Sequence, residues 1–140
     1  MKPLKRNPIA AFTLIEIMLV IIIVVALMAV LIPNLKNALT DSKNGTAEMY
    51  ITRLAGNLSM YELKNGSPPS TEQGLKALME MPASEPRPRR WSKIEDKIEL
   101  DPWGMEYRYE FPGRRNPKSF DVYSCGPDRQ ANTEDDLWNK

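Results

Sequence analysis

The sequence predicts an α+β chain: a long N-terminal helix, half membrane segment and half amphipathic, packs on a small antiparallel sheet with an irregular C-terminal loop. Three observations carry this reading. Ile17 to Ile32 is sixteen residues without a polar side chain. From Leu35 onward, apolar residues recur at helical spacing. After Asp101 the pattern changes to short alternating runs punctuated by Gly and Pro, which marks strands and tight turns.

The first element is apolar enough to span a bilayer. Adding Phe12 to Glu16 extends the run to about twenty-one residues, which at roughly 1.5 Å each crosses a hydrocarbon core about 30 Å thick. Lys2, Lys5 and Arg6 precede it, so the positive-inside rule places the N-terminus in the cytoplasm and the remainder across the membrane. The run is too long for an ordinary secretory signal, and no small-x-small site follows it. The small pair Ala10-Ala11 lies before it instead. The chain therefore divides into a removable basic leader (1–11), a membrane helix (12–33) and an aqueous domain (34–140). Glu16 is the exception in the run, because a carboxylate at membrane depth is costly unless protonated or paired. A cut after Ala11 would create an α-ammonium on Phe12, four residues from Glu16. Subunits packed with a stagger could pair the amine of one with the carboxylate of its neighbour, as a register device more than a source of stability. Alternatively, Glu16 sits at headgroup level and snorkels.

Pro33 removes one backbone donor and is expected to kink or loosen the helix at the end of the apolar run. Beyond it, Leu35 and Leu39, then Ala47, Ile51, Leu54, Leu58 and Tyr61, form one stripe, which reads as core. Asn65-Gly66 followed by Pro68-Pro69 stops a helix of about fifty residues. Ser70-Thr71-Glu72-Gln73 opens a second, short helix that either hydroxyl residue can cap, with Leu75, Leu78 and Met79 as its apolar face and Pro82 as its end. Ala83 to Arg90 is rich in Pro and Arg and reads as a solvated loop. Asp101-Pro102-Trp103-Gly104 is a turn with a large aromatic to bury. Glu106–Phe111 and Phe120–Tyr123 are strands, and the tail from Asp128 shows no periodicity while carrying Asp128, Glu134, Asp135 and Asp136.

Composition excludes several functions. There is no histidine, so neither a Ser-His-Asp triad nor a His-ligated zinc site exists here. One cysteine, Cys125, allows no internal disulfide and reads as a small packed hydrophobe. A net charge of +1 gives no basic bias toward nucleic acid, and no Gly-Lys phosphate loop is present. Lys2, Lys5 and Arg6 put +3 in the first eleven residues, which leaves −2 for the rest. An anchored enzyme or binding module is the reading from a different class; it would keep its leader.

Ala11-Phe12-Thr13-Leu14-Ile15-Glu16 resembles the processing motif of type IV pilins and type II secretion pseudopilins, with Ala11 where the family usually has Gly. "TEQGLKALMEMP" (Thr71–Pro82), "DPWG" with Tyr107, and "DVYSCGPD" (Asp121–Asp128) narrow the resemblance to the major pseudopilins of type II secretion. The resemblance implies a structural subunit and not an enzyme. A prepilin peptidase would cut before Phe12 and methylate the new amine. The subunit would wait in the inner membrane, in contact with lipid, with its C-terminal domain in the periplasm. It would then join a homopolymeric filament with minor pseudopilins, an inner-membrane assembly platform and a partner ATPase. Growth of that filament would drive folded proteins through an outer-membrane pore. Glu16 would set register, and Pro33 would let the helix unwind locally on leaving lipid. The resemblance further implies a calcium ion in the C-terminal loop, with Asp128, Asp135 and Asp136 as acidic ligands. The alternative within the class is a type IV pilin for adhesion, motility or DNA uptake.

Overall fold

The computed structural model describes residues 13–140. Its first element, α1, runs from Leu14 to Asn65 and is continuous through Pro33. Gly45 and Gly56 are absorbed without a break. The helix ends as its sequence predicts: Gly66 takes a left-handed conformation (φ 87°) and its N–H donates to the Glu62 carbonyl at 2.7 Å. The chain divides into two units, one up to Thr40 and one from Asp41 to Lys140. Within the first, the described residues are helix from Leu14 on, and every side chain from Thr13 to Leu39 is exposed.

In the second unit, the buried residues of α1 are Ala47, Ile51, Leu54, Leu58 and Tyr61, the predicted stripe from Ala47 on. Leu35 and Leu39 were expected to continue it toward the N-terminus. They stand exposed. Ile51, Leu54, Leu58 and Tyr61 of the stripe pack with Leu75, Ala77, Leu78, Tyr107, Tyr109, Phe120 and Val122 to form the core. Polar ties fix the helix to the segment that follows the Pro-Arg loop. Asn57 Nδ2 donates to Glu95 Oε1 at 2.6 Å, and Tyr50 Oη accepts from the Glu99 N–H at 2.6 Å. Arg87, Arg89 and Arg90 are exposed, in keeping with a solvated loop.

Neither hydroxyl residue caps the short helix, whose N-cap is Gln73 without a side-chain bond. Ser70 instead closes the turn before it: Ser70 Oγ accepts from the Gln73 N–H at 3.2 Å while Gln73 Oε1 accepts from the Ser70 N–H at 3.1 Å. Thr71 faces elsewhere: its hydroxyl donates to the Phe111 carbonyl and accepts from the Phe111 N–H, both at 2.9 Å. The helix itself is a 3₁₀ segment, Gly74–Leu78, rather than an α-helix. Runs this short commonly wind tighter, since few i to i−4 bonds would be gained.

The sheet has three antiparallel strands in the order β1 (Arg108–Glu110), β2 (Asp121–Ser124), β3 (Leu137–Trp138). β1 is shorter than the predicted Glu106–Phe111 strand, although Tyr107 and Tyr109 are buried as the alternation requires. β3 lies in the tail that showed no periodicity. At two residues it is too short to show a period of two, and it is held by register with Tyr123 and Ser124. β2 is buried along its whole length. One face meets the core; on the other, Tyr123 stacks on Trp138 at 4.0 Å between centroids and Arg115 lies 4.4 Å over the same indole. Trp103, expected to be buried, is half-exposed, and Asp101 of the same turn is buried instead.

Two outcomes follow. Leu58→Ala removes a fully buried side chain and should cost about 3 kcal/mol in urea denaturation of the detergent-solubilised chain. Burial, reinforced by the Asp101 carboxylate, pushes the Tyr107 hydroxyl up to about 12, and burial raises Tyr109 further. The folded state thus holds these protons more tightly than the unfolded chain, whose tyrosines titrate near 10. Stability from this source is complete below pH 10 and is lost as pH rises toward 12. Tyrosinate absorbance should therefore rise together with unfolding, and Tyr107→Phe should weaken that alkaline transition.

Candidate functional site

At the start of α1, Thr13 and Glu16 form a capping box. The Thr13 N–H and hydroxyl donate to Glu16 Oε2 at 2.8 and 2.9 Å, and Thr13 Oγ1 accepts from the Glu16 N–H at 3.3 Å. This local role of Glu16 went unread in the sequence, although Thr13-Leu14-Ile15-Glu16 is the T-x-x-E signature. Ala11 and Phe12 lie outside the described residues. Pro33 sits inside the helix, well separated from Glu16 along it. α1 is long and apolar enough to cross a membrane, and none of its most apolar stretch is buried.

The acidic loop joins β2 to β3. Asp136 is buried; its Oδ2 accepts from the Asn132 N–H at 2.7 Å, while its Oδ1 is buried with no hydrogen-bond partner among the described residues. A bare buried carboxylate oxygen is costly unless a cation or water meets it. Asp128 is exposed and its Oδ1 accepts from the Gln130 N–H at 2.8 Å, closing its own turn. Asp135 and Glu134 are exposed. Among the described residues, no three acidic or thiol side chains are gathered closely enough to share an ion. A hard cation in this loop would be met by Asp136 Oδ1, and Asp128 and Asp135, which stand exposed, would have to move in with loop carbonyls to complete its shell. Arg129 and Asn132 take left-handed conformations (φ 60° and 70°), which side-chain-bearing residues adopt at a cost. Asn132 is also held from outside by Arg114, which bonds its Oδ1 and pairs with Glu110 at 2.6 Å.

A second network supports this loop, and sequence reasoning missed it. Asp101 Oδ1 accepts from the N–H groups of Trp103 and Met105 at 3.0 and 2.8 Å, and its Oδ2 accepts from the Ser124 hydroxyl at 2.6 Å. Ser124 Oγ in turn accepts from the Gly126 N–H at 3.1 Å. The turn motif Asp-x-x-Gly was visible in sequence; its contact with Ser124, twenty-three positions away, was not. Cys125 beside it is buried, and burial raises its thiol above the ordinary range, so it packs as a small apolar side chain. Asp101→Ala strands these donors and should cost about 3 kcal/mol in chelator-treated protein, whereas Asp128→Ala should leave the denaturation midpoint unchanged.

The sequence model of the family described as "Type II secretion system (T2SS), protein G" matches residues 34–139. A type II secretion system core protein G of Pseudomonas aeruginosa is 39% identical over 134 residues, covering 94% of this chain and 93% of its own. One from Dickeya chrysanthemi is 40% identical over 130 residues, covering 91% and 84%. The crystal structure of the major pseudopilin from the type 2 secretion system of enterohaemorrhagic Escherichia coli superposes with a TM-score of 0.70 at 36% identity, over 76% of this chain and 94% of that one. A match over residues 34–139, together with relatives aligned over most of their length, places this chain in the type II secretion system protein G family.

Proposed function

We propose that the chain is a structural subunit of the pseudopilus that serves protein export by type II secretion, and not an enzyme. One observation carries this reading beyond family membership. A single helix exposes an apolar surface along its first part and buries one stripe in its second. Such a helix can be solvated by lipid first and by copies of itself later, while its domain stays folded throughout. A type IV pilin would share only the N-terminal portion, whereas the family match runs through residues 34–139.

The chain is held by one membrane-spanning helix, with its N-terminus cytoplasmic and its domain periplasmic. A prepilin peptidase removes residues 1–11 and methylates the Phe12 amine. Glu16 then exchanges its bonds to Thr13 for the ammonium of a neighbouring copy. Pro33, which lacks a backbone donor, lets the helix loosen there on leaving lipid. Partners are further copies of the chain, minor pseudopilins and an inner-membrane assembly platform. Calcium fits the acidic loop through Asp136, Asp128 and Asp135, supported by the bare buried Oδ1 of Asp136. Bound there, it would neutralise that oxygen and fix the loop.

The primary test is the N-terminal mass of the protein purified from membranes with and without a prepilin peptidase. A chain starting at methylated Phe12 only when the peptidase is present is expected; an intact leader in both would overturn the filament reading. Glu16→Ala should leave membrane insertion intact and abolish sedimentable filaments.

A further inference from the structure

We propose that Asp101 and Ser124 are positioning residues for cation binding at the acidic loop: through Gly126 they close the two ends of the loop on one another before an ion arrives. The inference rests on the calcium reading above and adds residues that contribute no ligand atom.

The geometry runs in one direction. Asp101 is 4% exposed and is held by its own turn through Trp103 and Met105. Its second oxygen takes the only proton that the Ser124 hydroxyl can give, which turns a lone pair of Ser124 Oγ toward the Gly126 N–H. Ser124 is fully buried at the end of β2, so this orientation has no competition from solvent. Gly126 has φ +65°, and a Cβ there would collide with the backbone carbonyl oxygen of Asp135. The opening of the loop is thus pressed against the peptide that leads into Asp136, whose buried Oδ1 lacks a partner. A site whose donors are already held loses less entropy on binding than one that must first be ordered. Removing the Ser124 hydroxyl frees Gly126 while the Ser124–Leu137 ladder pair remains, so the turn beside Asp135 loosens and the ion must then order it.

The experiment is calorimetric titration of CaCl2 into the full-length chain in detergent, stripped beforehand with chelator. Ser124→Ala should weaken calcium binding roughly tenfold, as removal of supporting groups around a metal typically does. Tyr109→Phe is the control. Its hydroxyl bonds the Pro69 carbonyl at 2.7 Å, outside the loop, so it should lower the thermal midpoint and keep the wild-type affinity. If Ser124→Ala does not fold, Asp101→Asn, which leaves too few acceptors for the same donors, should show the same weakening. Wild-type binding, with the variant's affinity within about twofold of it, would overturn the positioning role and leave the calcium site standing. A wild-type chain that takes up no calcium would overturn both.

Discussion

The fold depends on one contact, the stripe from Ile51 to Tyr61 on α1 against the small sheet and the 3₁₀ segment. Strands of three, four and two residues cannot hold a sheet by their own hydrogen bonds. They persist because Tyr107, Tyr109, Phe120 and Val122 have a rigid apolar surface to cover. The same surface fixes the long irregular segment from Arg87 to Leu100. Trp91 sends its indole N–H to the Ala77 carbonyl at 2.9 Å, and Ile94 and Ile98 pack at the margin of the core. A helix is suited to this role because it satisfies its own backbone. It can therefore be solvated differently at different points along its length without exposing unpaired polar groups.

Periodic features were legible in the sequence and solitary ones were not. Five stripe residues at helical spacing pointed to one buried face, and the structure buries all five. Asn65-Gly66 predicted the end of the helix, where the structure places it. The reading overreached at the start of the pattern: Leu35 and Leu39 keep the spacing but are exposed. It fell short where two residues suffice for an element, as in Leu137–Trp138, or where a short run winds as 3₁₀. In the Asp101 turn, aromatic size suggested Trp103 as the buried group. The deciding quantity was hydrogen-bond demand, since two turn N–H groups and the Ser124 hydroxyl converge on one carboxylate.

The candidate sites share a physical motif. Glu16 and Asp136 each have one carboxylate oxygen engaged by nearby backbone, from Thr13 and Asn132 respectively. Each stands where an uncompensated carboxylate is costly, one in an apolar segment and one inside a folded loop. The acids could be picked out from sequence because charge is rare in an apolar run and crowded in the tail. The supporting groups could not, because Thr13 and Ser124 are common residues whose significance comes only from what they touch.

The short third strand has a mechanical consequence. β3 meets β2 through two residue pairs, aided by the Asn139 N–H donating to the Val122 carbonyl and by the sandwich of Arg115, Trp138 and Tyr123. Of the two β3 residues, Leu137 packs at the margin of the hydrophobic core, while Trp138 lies on the far face of the sheet. Local opening free energies scale with what is lost on opening, so β3 and the segment leading to it can detach while α1, β1 and β2 remain folded. Amide hydrogens of residues 128–138 should exchange by this local opening, on a faster clock than those of β2.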